Sequence, residues 1–232
     1  MIKADGLSKI FDKLEDNMEK KRTFSFKGRE LSNMSHLIYD CREFWKKNKG
    51  NYFEIGCFDG VTLCKIATEL PSAVCYGIDP FLGDHHVPQP KNPVMHKNGL
   101  VELPQQRINL TENIKIFENV VFFETTSEEF MDSLTEDKIE EYNISICYID
   151  GAHIYDYIII DWKLSLMLIG KNPGMILFDD TNIDDVERSI NDLELYLKKE
   201  GIDYKRINPW QQGYNSSITK FLINISCDSC YR

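Results

Sequence analysis

The sequence predicts an α/β fold, a doubly wound, mostly parallel sheet with helices on both faces, and three observations carry that prediction. From residue 51 onward, short apolar runs of strand length alternate with longer stretches of helical periodicity, the pattern of crossover connections. The runs Ile144–Ile149 and Gly174–Phe178 are almost continuously apolar, as strands covered on both faces must be. Each ends abruptly in acid, Asp150 in one case and Asp179–Asp180 in the other. The carboxyl ends of parallel strands are where open α/β sheets bind ligands.

Taken in order, residues 7–22 place Leu7, Ile10, Phe11, Leu14 and Met18 at helical spacing. Residues 30–48 repeat the pattern through Leu31, Met34, Leu37, Ile38, Cys41, Phe44 and Trp45. Two helices are therefore expected in an N-terminal extension, 1–50, as core cover, as a lid over substrate or as a homodimer contact. The main domain is expected over 51–232. Its strands are read near 52–55, 74–78, 120–123, 144–149, 174–178, 203–207 and 217–224, and its helices near 60–70, 126–134, 155–169 and 184–200. Between the second and third strands lies a polar stretch, 80–107, dotted with Pro80, Pro88, Pro90, Pro93 and Pro104. A loop that long in a compact domain is usually functional.

Charge narrows the partners. Against 27 basic side chains stand 37 acidic ones, a net of −10, which repels polyanions and disfavours nucleic acid or an anionic membrane as a partner. The residues after Met1 show no secretory pattern and no run is long enough to span a bilayer, so a cytoplasmic location is expected. Seven cysteines, an odd number scattered through the elements, suit a reducing compartment. Cys227 and Cys230 form one CxxC without the second ligand pair a zinc site needs.

The turn after the first strand reads Glu54–Ile55–Gly56–Cys57–Phe58–Asp59–Gly60. It lacks the first glycine of the pyrophosphate-cradling G-x-G-x-x-G, and its acid suits a cationic ligand better than a phosphate. The second strand ends in Asp79, whose two oxygens can accept both hydrogens of a ribose diol. Three carboxylates at Asp150, Asp179 and Asp180 would repel by about 4 kcal/mol per pair at 4 Å and an effective dielectric of 20. Such a group calls for a cation, and oxygen-only ligands suit magnesium, calcium or manganese.

The E-x-G-x-x-x-G turn, the acid after the second strand, the D-G-x-H-x-Y segment Asp150–Tyr155 and the Asp179–Asp180 pair together resemble the class I S-adenosylmethionine-dependent methyltransferases. More narrowly they resemble the metal-dependent group of macrocin and other antibiotic-sugar O-methyltransferases. The resemblance covers residues 51–224. It implies a Rossmann-like, seven-stranded sheet with an antiparallel last strand, and S-adenosylmethionine and a divalent cation, magnesium first, as cofactors. By the same resemblance Glu54, Gly56 and Gly60 would line the methionine end of the cofactor, with Cys57 and Asp150 also among the cofactor-binding residues. Asp79, with Pro80 and Phe81 beside it, would hold the ribose, and Thr125, Thr126 and Ser127 would border the adenine. Asp150, Asp179 and Asp180 would ligate the metal.

The implied reaction moves a methyl group from a sulfonium to a hydroxyl of a small molecule, a sugar-containing metabolite being favoured. An alcohol needs a base, and His153, with an ordinary pKa near 6.5, is the candidate beside Asp150. Antibiotic-sugar enzymes often carry an aspartate where this chain has Ala152. His153 either takes the proton or anchors its loop. His85 and His86 in the long loop, and Trp210 before the last strand, are further candidates for contact with ligand. Two rival readings remain at this stage: a metal-independent O- or N-methyltransferase, and a non-catalytic S-adenosylmethionine-binding module.

Overall fold

The structure, a computed structural model, describes residues 34–82, 103–208 and 218–224. The expected helix over 7–22 lies outside them. The second N-terminal helix is α1, Ser35–Asn48, which buries Leu37, Cys41 and Phe44 and packs on the sheet at the central strand. The chain then turns through Lys49 and Gly50, both at positive φ, and Trp45 Nε1 donates to the Gly50 carbonyl at 2.9 Å.

Seven strands follow: β1 Asn51–Ile55, β2 Cys75–Ile78, β3 Val120–Phe123, β4 Ile144–Ile149, β5 Gly174–Phe178, β6 Tyr204–Ile207 and β7 Thr219–Ile223. They form one sheet in the order β3-β2-β1-β4-β5-β7-β6. The first five run parallel, and β7 is antiparallel to both its neighbours, β5 and β6. All six residues of β4 are buried, consistent with its apolar run and central position.

The period-two alternation of the strands divides the core into two layers. Tyr52, Ile146, Tyr148, Met175 and Leu177 face α1, α2 (Val61–Glu69) and α3 (Leu103–Ile114), meeting Leu37, Phe44, Leu63 and Leu110. Phe53, Cys147, Ile149, Ile176 and Phe221 face the other way. There they meet α4 (Ser127–Asp132), α6 (Tyr155–Ile169) and α7 (Asp184–Glu200) through Phe130, Trp162, Leu164, Ile190 and Leu193. Phe130 lies 5.2 Å from Phe53 and 5.3 Å from Phe123, ring to ring; each such pair contributes about 0.5–1.5 kcal/mol beyond its burial.

Two helices were not expected from the sequence. α3 occupies the end of what reads as the 80–107 loop; Pro104 stands in its first turn, where a missing N–H costs no hydrogen bond. α5, Glu136–Tyr142, buries no residue. It is held by its ends: Thr135 caps it by accepting from the Lys138 amide, and Asn143 closes it in a left-handed conformation. With no apolar stripe it left no periodic signal.

Candidate active site at the carboxyl ends of the sheet

Strand order reverses between β1 and β4, the switch point where open α/β sheets form their crevice. The turns leaving β1, β2, β4 and β5 meet there, and backbone bonds lock their tips together. Gly56 N donates to the Ile78 carbonyl at 3.0 Å, Asp150 N to Ile55 at 2.9 Å and Asp179 N to Ile149 at 3.0 Å. Gly56 has φ +86°, and a Cβ there would collide with the Asp150 carbonyl. Its glycine is thus required by the close approach of the protein's own backbone. Gly60, at φ +73°, begins α2 and faces the Leu110 side chain of α3.

Asp79 ties the first two turns together. Its Oδ2 accepts from the Phe58 amide and its Oδ1 from the Phe81 amide, both at 2.8 Å. Phe58 and Phe81 both hold positive φ, a strain the two bonds help to maintain. Burial raises the Asp79 pKa, and these backbone donors oppose the rise. A carboxylate oxygen accepts more than one hydrogen bond, so the acid retains capacity toward a diol. Pro80 is half-buried between Asp79 and Phe81. Cys57 is buried with its thiol toward the Glu54 carbonyl, and burial pushes that thiol up.

Glu54 is 1% exposed and accepts the Tyr52 hydroxyl at 2.8 Å. Burial holds its pKa well above the ordinary carboxylate range. The Tyr52 bond opposes the shift, and the negative charges of Asp150, Asp59 and Asp79 add to it. The residue expected at the methionine end thus holds a proton more tightly than an ordinary carboxyl.

Thr125, Thr126 and Ser127 serve α4 and its seam with α6. Thr126 is the N-cap in a reciprocal capping box with Glu129, and Thr125 donates to the same Glu129 carboxylate at 3.2 Å. Ser127 donates to Asp161 Oδ1 at 2.6 Å. Tyr155, the last residue of the D-G-x-H-x-Y segment, pins the start of α6 to α7. Its amide donates to Asp185 at 3.3 Å, its hydroxyl donates to Asp192, and the Arg188 guanidinium lies 3.9 Å from its ring centroid.

The acids at the tips of β4 and β5 do not converge as the sequence suggested. Asp150, His153 and Asp180 each bring a ligand atom within 4.8 Å of the others. His153 Nε2 lies 3.6 Å from Asp150 Oδ1 and 3.6 Å from Asp180 Oδ2. Asp179 turns aside: its Oδ2 accepts the Tyr148 hydroxyl at 2.7 Å and its Oδ1 the Asp180 amide at 2.8 Å. Alternation explains this. Met175 and Leu177 face the α1 layer, so Asp179 continues on that side toward Tyr148, whereas the φ of +49° at Asp180 reverses the chain toward His153. Among the described residues, the ligand atoms that come together are those of Asp150, His153 and Asp180, not of Asp150, Asp179 and Asp180 as expected. Burial alone would lower the His153 pKa, but its interaction with Asp150 and the charges of Asp180 and Asp179 outweigh that and raise it.

Two carboxylate oxygens and one imidazole nitrogen make a donor set that fits a divalent cation. The nitrogen shifts the preference from magnesium toward manganese, iron or zinc. The structural roles of Tyr148 and of the Ser127–Asp161 pair were not foreseen; neither residue carries a motif, and only the fold brings each to its partner. His85, His86, Trp210, Cys227 and Cys230 lie outside the described residues.

The chain matches no protein-family model and no curated protein. Solved structures do match. The O-methyltransferase NovP aligns with a TM-score of 0.56 at 14% identity, over 81% of this chain and 78% of its own. The O-methyltransferase from Bacillus cereus in complex with SAH aligns at 0.53 and 12% identity, over 90% of each chain. The SAH-bound Podospora anserina methyltransferase PaMTH1 aligns at 0.51 and 16%, over 94% of each. The fold is the class I methyltransferase fold. Within the methyltransferase fold the antiparallel β7, inserted between β5 and β6, is the expected departure from a parallel sheet.

Proposed function

We propose that this chain is an S-adenosylmethionine-dependent O-methyltransferase that acts on a hydroxyl of a small molecule, a sugar-containing metabolite being the favoured class, with a divalent cation. One observation carries the reading: the Asp79-anchored glycine turn of β1 and the Asp150–His153–Asp180 group lie at the same switch point, on neighbouring strand tips. Asp79 would hold the ribose and the Gly56 turn the methionine end. Asp150, His153 and Asp180 would hold the cation. S-adenosylmethionine, when bound, supplies an electrophilic methyl group on a sulfonium; a divalent cation, when bound, makes loss of the acceptor's proton easier. The chain's own contribution is orientation, from tips locked by backbone bonds, and a negative field that suits cationic ligands.

A second reading rests on the position of His153. Its Nε2 faces two carboxylates at equal distance, so the neutral imidazole can take the acceptor's proton on that nitrogen without a metal, and the two carboxylates then stabilise the imidazolium that results. A non-catalytic binding module is the third reading, and it requires no cation at all.

Calorimetric titration of S-adenosylhomocysteine, with and without manganese or magnesium, tests all three. Micromolar binding that is lost in Asp79→Ala, together with cation uptake that is lost in Asp180→Asn, is the expected result. Cofactor binding without cation uptake favours the second or third reading. A protein that binds no S-adenosylhomocysteine ends the proposal.

A further inference from the structure

Asp161 sits in the middle of α6 and is 4% exposed. One of its oxygens, Oδ1, accepts the Ser127 hydroxyl at 2.6 Å, across the seam between α4 and α6. The other, Oδ2, lies 3.3 Å from where a Cβ on Gly151 would stand, so it is directly beneath the loop that carries Asp150 and His153. The carboxyl thus bonds one segment, the turn after β3 that is expected at the adenine, and lies close beside another, the loop after β4 that carries the proposed chemistry.

A carboxyl is an expensive way to fill that space. Its surroundings on the same layer are apolar, with Ile158, Trp162, Leu164 and Phe130 buried nearby in α6 and α4. Burial pushes its pKa up to about 7, against the Ser127 bond and the charge of His153. A leucine of similar volume would avoid that cost, because buried polar groups are often replaced by apolar ones without loss of stability. The fold does not need an acid here.

We infer that Asp161 is a positioning residue, which through Ser127 and Gly151 holds the adenine side and the chemical side of the cofactor site at one fixed spacing. The inference rests on the S-adenosylmethionine reading given above.

Three variants of the full chain test it: Asp161→Leu, Asp161→Asn and Ser127→Ala, each measured for S-adenosylhomocysteine affinity by calorimetry and for melting temperature. Asp161→Leu is expected to melt at or above the wild-type temperature while losing affinity about tenfold, the value of about one hydrogen bond. Asp161→Asn, which keeps an acceptor for Ser127, is expected to restore affinity to within about threefold of wild type. The double variant Ser127→Ala/Asp161→Leu should bind no more weakly than Asp161→Leu alone, because the two residues act as one unit. Should the leucine variant fail to fold, Ser127→Ala against Asp161→Asn carries the same comparison.

Wild-type affinity in Asp161→Leu or in Ser127→Ala overturns the inference. So does a parallel fall of affinity and melting temperature that Asp161→Asn does not rescue, which would mark a purely structural role. A wild-type protein that binds no S-adenosylhomocysteine removes the cofactor reading first, and the inference with it, before any variant is compared.

Discussion

The hydroxyl of Tyr148 donates to Oδ2 of Asp179 at 2.7 Å, and this bond holds Asp179 away from the Asp150–His153–Asp180 group. Neighbouring residues of one strand end thus divide their labour, Asp179 bracing the sheet and Asp180 facing the cleft. Titration with manganese and magnesium should therefore show cation affinity falling more than about tenfold in Asp150→Asn, His153→Ala and Asp180→Asn, as for loss of a ligand atom. Asp179→Asn should stay within a few-fold of wild type. The reverse outcome, with Asp179→Asn losing the cation and His153→Ala keeping it, would restore an oxygen-only site.

Tyr148 itself is buried. Tyr148→Phe keeps the ring and removes the donor, leaving Asp179 one partner short. Urea unfolding should show a loss of about 1–3 kcal/mol, the cost of stranding a charged acceptor. No loss would mean that solvent replaces the bond freely.

Two glycines at positive φ provide a controlled comparison. Gly56→Ala combines a φ of +86° with collision against the Asp150 backbone and should cost about 3 kcal/mol or more. Gly201→Ala, at φ +67° after α7 and with nothing within 4 Å of the added carbon, bears only the left-handed penalty, about 1 kcal/mol. Chemical denaturation of the two variants side by side decides whether close approach or conformation dominates at the β1 turn.

Asp161 should leave a mark on the pH dependence of stability. Its pKa is raised from 3.8 to about 7 in the folded protein. Between those values the folded chain holds a proton that the unfolded chain has released, so stability falls as pH rises through the window. The slope from this one group approaches about 1.4 kcal/mol per pH unit. Denaturation at pH 5 and pH 7.5 should show that slope in the wild type and its disappearance in Asp161→Asn. An unchanged slope in the variant would assign the effect to other carboxyls.

Much of this architecture is legible in the sequence, because the strands at the centre of a doubly wound sheet must be apolar on both faces. The helices over 155–169 and 184–200 were expected at the bounds where α6 and α7 are found. The falls from strand to acid at Asp79, Asp150 and Asp179 lie, as expected, at the carboxyl ends of β2, β4 and β5. What escaped was of two kinds. α5 has no buried face, and α3 begins beside a proline that reads as loop. The division between Asp179 and Asp180 turns on a single positive φ, which no periodicity announces. Likewise Thr125–Ser127 were expected only as a border for adenine, whereas their hydroxyls are engaged in capping α4 and bonding Asp161.

Glu54, sealed under the β1 tip with the Tyr52 hydroxyl on its carboxyl, carries a consequence for how a cationic ligand is received. An ammonium group placed against the carboxyl would oppose the upward shift that burial imposes, so occupancy and acidity become linked quantities. Any proton exchanged on association would then show as a heat that varies with the ionisation enthalpy of the buffer.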